Sequence, residues 1–168
     1  MKNTNLLQYL AFILFTAFTL QMNAQERHTI TLTCDSAELT EENINEVCSF
    51  GQTSSVPNKD YLVEVQMSDV ILWNAKYKGA DQGYIDIKSI DFEAGTNIFR
   101  DRHILDEEDG IPNGTIVAIV RKGEQGDELK YAVTLDAYNA GGDFVGRFKI
   151  DPKIKIKKLS VSEQMERN

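Results

Sequence analysis

The stretch MSDVILWNAKYKG, residues 67–79, joins a turn to an apolar segment that carries the chain's only tryptophan, Trp73. Ser68-Asp69 reads as the turn. Beyond it the side chains alternate, as they do along a strand: Ile71 and Trp73 to one face, Val70 and Leu72 to the other. Ile71 and Trp73 are large and fully apolar or aromatic, so theirs is the core face. Val70 and Leu72 then form a candidate interaction face, because a simple two-layer fold leaves its outer surfaces wet.

Working outward, the flanking segments carry the same signature. HTITLTC (28–34) sets Ile30, Leu32 and Cys34 against three threonines, and DYLVEVQ (60–66) alternates in the same way. In YIDIKSIDF (84–92) the phase slips at Lys88-Ser89, which predicts a β-bulge. TIVAIVR (115–121) is apolar on both faces and reads as a central strand. ELKYAVTLDAY (128–138) and DFVGRFKI (143–150) are each preceded by a Gly-rich hairpin signal, KGEQGD and NAGGD. In DPKIKIKK (151–158), Pro152 and three alternating lysines fit a protected edge strand. DSAELTEENINEV (35–47) has Asp35 or Thr40 as an N-cap and helix-compatible spacing of Leu39, Ile44 and Val47. About eight strands with turns between them imply an all-β, two-layer antiparallel β-sandwich, with one short helix or helical turn near the N-terminus.

The ends of the chain speak to its destination. Lys2, the apolar run Leu10–Leu20 and Ala24 have the layout of a secretory signal peptide over residues 1–24, leaving a single domain over 25–158 and a disordered polar tail over 159–168. The apolar run is too short to span a bilayer as a helix, so no stable membrane insertion is expected once the signal is cleaved. Removing 24 of the 168 residues leaves 144, with 17 basic against 26 acidic residues. A net charge of −9 repels phosphate backbones and argues against a nucleic-acid partner. In an oxidising compartment Cys34 and Cys48 are expected to form a disulfide, worth roughly 3 kcal/mol for a loop of about 15 residues. The protein is expected to be secreted or periplasmic.

Several chemistries can be tested on the donors present. A blue-copper site needs two imidazoles, a thiolate and a weak axial thioether. The chain has only His28 and His103, and neither His nor Cys follows Tyr131, so no cofactor of that kind is expected. No GxSxG motif occurs, and the 26 acidic residues are too many to single out a catalytic pair. No catalytic residue is assigned, and a calcium-binding module or small hydrolase is the third reading, after partner binding and self-association. The unusual feature is the 22-residue connection Glu93–Gly114, EAGTNIFRDRHILDEEDGIPNG, since loops of that length usually have a task or some structure of their own. Arg100, Arg102, His103, Asp106 and Asn113 are its candidate binding residues. Asp106, Glu108 and Asp109, with the Asn113 carbonyl, are candidate calcium ligands, although their spacing differs from the twelve-residue calcium loop.

From Val63 to Ile156 the order of features resembles the PixA/AidA-type bacterial inclusion-body protein family. MSDVILWNAKYKG is similar to its GDxVxFRG-like strand, IDIKSIDFEAGTNIF to an I..I....G.N.F element, and GRFKIDPKI to a final G.F..DP.I.V strand. Asp69, Ile71, Trp73, Gly95, Asn97, Phe99, Gly146, Phe148, Asp151 and Pro152 carry the likeness. Ser68 stands where the family usually has Gly, and the leader and cysteine pair are additions. The resemblance implies a β-sandwich and a stored or secreted non-enzymatic protein, and it transfers no catalytic residue. The leading expectation is an exported module that binds a protein or glycan partner through its loops. The alternative is a structural or self-associating protein, a homo-oligomer built on Val70 and Leu72.

Overall fold

The computed structural model describes residues 25–35, 38–79, 83–105 and 114–158. In chain order these form β1 (Arg27–Cys34), α1 (Ile44–Val47), β2 (Cys48–Ser49), a 3-10 turn (Asn58–Asp60), β3 (Leu62–Val65), β4 (Val70–Tyr77), β5 (Tyr84–Gly95), β6 (His103–Leu105), β7 (Ile116–Ile119), β8 (Glu128–Tyr138), β9 (Phe144–Ile150) and β10 (Lys153–Ile156). One sheet has the order β2-β1-β4-β7 and the other β3-β10-β8-β5-β6, with β9 also paired to β8. The chain crosses repeatedly between them, so the two layers are laced together along most of its length.

The sheets are mixed, which corrects the purely antiparallel expectation. β1 runs parallel to β4 from Arg27↔Val70 to Cys34↔Tyr77, and β3 runs parallel to β10. The physical reason is connectivity. Between β1 and β4 the chain passes through β2, α1 and β3, and so re-enters the first sheet in its original direction. An alternating pattern reports which face is buried but not which way a neighbour runs.

Two strand positions also differ from expectation. Among the described residues β7 pairs with β4 alone, at the border of its sheet, although its sequence is apolar on both faces. Its inner side packs on the core while Val117 and Ile119 lie beside Leu72 and Val70 outside. The lysine strand β10 is internal, lying between β3 and β8. It continues β9 along the same side of β8: Ile150 faces Val133, Lys153 faces Lys130, and Asp151-Pro152 fills the gap. Pro152 has no N–H to donate, so the ladder breaks there. Its carbonyl still accepts from the Tyr131 N–H at 3.2 Å.

Other sequence features appear as expected. The bulge in β5 falls between Ile87 and Ser89, and a second register shift lies between Phe92 and Ala94. Cys34 and Cys48 form a disulfide across β1 and β2. Thr40 caps the turn before the short helix, its Oγ1 accepting from the Asn43 N–H at 3.2 Å. Buried Asn58 fastens that segment by donating to the Cys48 carbonyl at 2.8 Å and accepting from Gln52 Nε2 at 2.7 Å.

The core lies between the sheets, with Trp73 at its centre. Trp73 and Tyr131 are both 0% exposed, and the indole N–H donates to the Tyr131 hydroxyl at 3.1 Å. That bond lets a buried indole satisfy its one polar group. Phe99 and Tyr131 both stand edge-on to the Trp73 ring, at 5.7 and 5.8 Å. Burial drives the Tyr131 phenol far above its usual ionisation range, so it stays protonated as a partner for Trp73.

Candidate binding surfaces

The turn before β4 is built around one buried carboxylate. Asp69 accepts from the Gln66 N–H at 2.7 Å and the Glu26 N–H at 3.1 Å, and its Oδ2 lies 2.8 Å from His28 Nε2. Ser68 completes the turn at φ 76°. That region is sterically easy only for glycine, which explains why a Gly is usual there in the family this chain resembles. Glu26, His28 and Asp69 bring ligand-type atoms within 4.8 Å of one another. Asp69 already receives three hydrogen-bonding groups that join β1 to the turn, so the cluster's evident work is structural.

The long connection has structure of its own. Gly95 ends β5 at φ 83°, and a Cβ there would stand 2.1 Å from the Glu128 carbonyl oxygen. The chain then enters the core with Ile98 and Phe99, both buried. The Arg121 and Lys122 N–H groups donate to the Ile98 carbonyl at 2.9 and 3.2 Å. These anchors leave a cleft of about 260 Å³ between the connection and β7, with Phe99, Ile104, Val117 and Ile119 as apolar lining and Arg100, Asp101 and Arg121 as charged lining.

The candidate binding residues do not converge on one point. Arg100 lines the cleft, whereas the Arg102 guanidinium lies 4.1 Å above the Phe92 ring. His103 faces Asp91 through Nδ1. Asp106, Glu108, Asp109 and Asn113 lie outside the described residues. Ser89 Oγ donates to Asp91 Oδ2 at 2.6 Å. Burial works to raise the Asp91 pKa, but hydrogen bonds from Ser89 and His103 and the nearby Lys149 outweigh it, so this carboxyl ionises below the usual range. Asp91 therefore stands between serine and imidazole. In a nucleophilic site the imidazole must touch the hydroxyl directly.

Val70 and Leu72 are half-buried on the outer face of the first sheet, next to Ile119 and Val117. The outer face of the second sheet differs in character. There Tyr84 stacks on Tyr138 with centroids 4.5 Å apart, and Phe144 meets Tyr138 at 5.7 Å and a steep angle. Sequence reasoning missed this row. The rings come from three strands and meet only once the β8–β9 hairpin and the β5–β8 register are known. The sole local signal was an aromatic residue at each end of NAGGD.

Among the described residues, no helix is long and apolar enough to cross a membrane. No family model matches the sequence, and no curated protein matches it significantly. The architecture defines the class: an all-β sandwich of two mixed sheets. In particular, the chain is similar to the crystal structure of the inclusion body protein PixA from Burkholderia cenocepacia J2315, with a TM-score of 0.55 and 9% identity over 82% of this chain and 98% of that one. At that identity the likeness is one of fold. The sequence resemblance between Val63 and Ile156 pointed to the same architecture, and the residues that carry it, such as Asp69, Trp73 and Gly95, hold turns and core.

Proposed function

We propose that the chain is an exported, non-catalytic β-sandwich that binds a protein or glycan partner at the end of the molecule carrying the Glu93–Gly114 connection. The observation that carries the reading is the cleft beside β7, where Arg100 and Arg121 flank apolar Phe99, Ile104 and Val117. Recognition surfaces commonly combine an apolar floor with a few fixed polar groups, and arginine is enriched at their energetic centres. The leader pattern and the disulfide support export. A thermal-shift panel with calcium, a chelator, copper, zinc and a set of oligosaccharides tests for ligands, since anything that binds only the native state raises the midpoint. At least one response is expected to vanish both on deleting Leu105–Pro112 and in Arg100→Ala/Arg121→Ala. If every response survives both changes, the assignment fails. A calcium response lost in Asp106→Ala/Asp109→Ala would instead assign the acidic segment to the metal.

A second reading, self-association, is favoured by a specific feature: Val70, Leu72, Val117 and Ile119 form four adjoining aliphatic positions on one outer face. Light scattering over a concentration series tests it. Leu72→Thr is expected to lower the average mass if this face joins two copies, and a monomer at every concentration would dismiss the idea.

A further inference from the structure

The aromatic row on the outer face of the second sheet is more highly built than an accidental exposure. Tyr84 and Phe144 are 48% and 57% exposed, yet both are held in place. Gly83 precedes Tyr84 at φ 107°, and a Cβ there would lie 2.0 Å from the Tyr138 carbonyl oxygen. Only glycine allows β5 to begin close enough to β8 for the two tyrosines to stack. On the other side, the Asn139 side chain organises the hairpin to Phe144, its Oδ1 accepting from the Gly141 and Asp143 N–H groups at 2.9 Å each. The rings are thus set on a rigid hairpin and two paired strands.

The next row along the same strands is polar. Asp86 lies beside Asp136 in register, and Asp136 lies beside Arg147. Arg147 donates from Nε and Nη2 to the two Asp136 oxygens at 2.7 and 2.8 Å. This fork fixes the guanidinium plane and leaves it three further N–H donors. The Arg147 side chain remains 62% exposed.

We propose that Tyr84, Tyr138 and Phe144, with the Asp136–Arg147 pair beside them, form a binding platform for an uncharged carbohydrate chain. Sugar rings are apolar on their C–H faces and polar at their hydroxyl rims. The C–H faces gain dispersion contact on aromatic rings, and neighbouring hydroxyl oxygens can accept from the remaining N–H donors of Arg147, which buried Asp136 holds in place. Along the paired strands the three rings are followed by the charged Asp86, Asp136 and Arg147, and a row of that width suits a narrow chain better than a protein interface of about 800 Å² per partner. The excess of acidic residues over basic ones disfavours polyanions. Preorganisation by Gly83 and Asn139 lowers the ordering cost of binding. The platform stands apart from the cleft beside β7 and does not depend on it.

Affinity electrophoresis of the full chain tests the proposal, in gels containing β-glucan, amylose, xylan, galactomannan or dextran, followed by calorimetry with the matching hexasaccharides. At least one polysaccharide is expected to retard the protein, with Kd weakened tenfold or more by Phe144→Ala, by Tyr84→Ala and by Arg147→Met. Arg100→Ala/Arg121→Ala should bind unchanged, which separates this site from the cleft. Phe144→Ala removes the most exposed ring, so it keeps the test valid should Tyr84→Ala fail to fold. Retardation by none of the five polysaccharides overturns the proposal, as does full affinity in Phe144→Ala. A lower sedimentation mass for Phe144→Ala, without sugar binding by the parent, would assign the row to contact between copies and also overturn it.

Discussion

β4 and β8 are internal strands of the two facing sheets, and their inner and outer sides obey different rules. Inward they converge: Trp73 of β4 donates to Tyr131 of β8, and the two rings pack edge to face. Outward they diverge. β4 shows Val70 and Leu72, half-buried beside aliphatic neighbours, whereas β8 shows Lys130, Thr134, Asp136 and Tyr138 among charged and aromatic ones. Inner positions are fixed by the shared demand for close packing, and outer positions are free to differ according to what each face meets. The fold is therefore concentrated in the inner halves of these strands, and the contrast between the two faces in the outer ones.

The largest expected effect comes from breaking the point where the strands converge. Trp73→Ala should destabilise by about 3–5 kcal/mol, read as a lower urea midpoint, because it empties the centre of the core and leaves Tyr131 and Phe99 without their common neighbour. A loss below about 1 kcal/mol would mean that the two layers do not depend on this contact. Next is the entry to β4. Asp69→Ala should cost about 1–3 kcal/mol, since it removes the buried carboxylate that accepts from the part-buried Gln66 and Glu26 N–H groups. At the neighbouring residue the sign reverses. Ser68→Gly should stabilise by about 0.5 kcal/mol, relief of left-handed strain outweighing the extra freedom of glycine in the unfolded chain. A melting curve that falls for Ser68→Gly would show that the serine side chain earns its place.

What could be read from the sequence follows the same division. The inner face of β4 was legible because Ile71 and Trp73 alternate cleanly with Val70 and Leu72, and the bulge at Lys88 was legible because an alternating phase cannot slip without an extra residue. Direction and rank within a sheet were not. β7 looks central because a border strand flanked by Val70 and Leu72 can also be apolar outside. β10 looks like an edge because its lysines alternate with its two core isoleucines, a pattern that does not reveal β3 pairing along its other side. The long connection was recognisable as exceptional, but its anchoring by Ile98 and Phe99 depends on contacts with Arg121 and Lys122 more than 20 residues away in sequence. The aromatic row was hidden for the same reason: Tyr84 and Phe144 are distant until β8 brings them together.

The smallest expected effect sharpens the outer side of β8. Lys130 and Lys149 approach the two oxygens of Glu93 at 2.9 and 2.7 Å. Burial favours the neutral form of Glu93, but hydrogen bonds and charge from Lys149 and Lys130 outweigh it and lower its pKa below the ordinary 4.5. A carboxyl with a lowered folded-state pKa contributes stability above its unfolded value and loses it as the pH falls through the folded one. At pH 7 the parent should therefore melt above Glu93→Gln, by roughly 1 °C, since partly exposed ion pairs are screened. The gap should shrink as the pH drops below 4.5 and close once the folded carboxyl is protonated. It should also shrink in about 1 M salt. On the outer side of β4, Leu72→Thr carries no titrating group and should shift the midpoint equally at pH 7 and pH 3.5. If the Glu93→Gln gap instead widens on acidification, the charged face of β8 does not stabilise by ion pairing, and the contrast between the two outer faces would rest on shape alone.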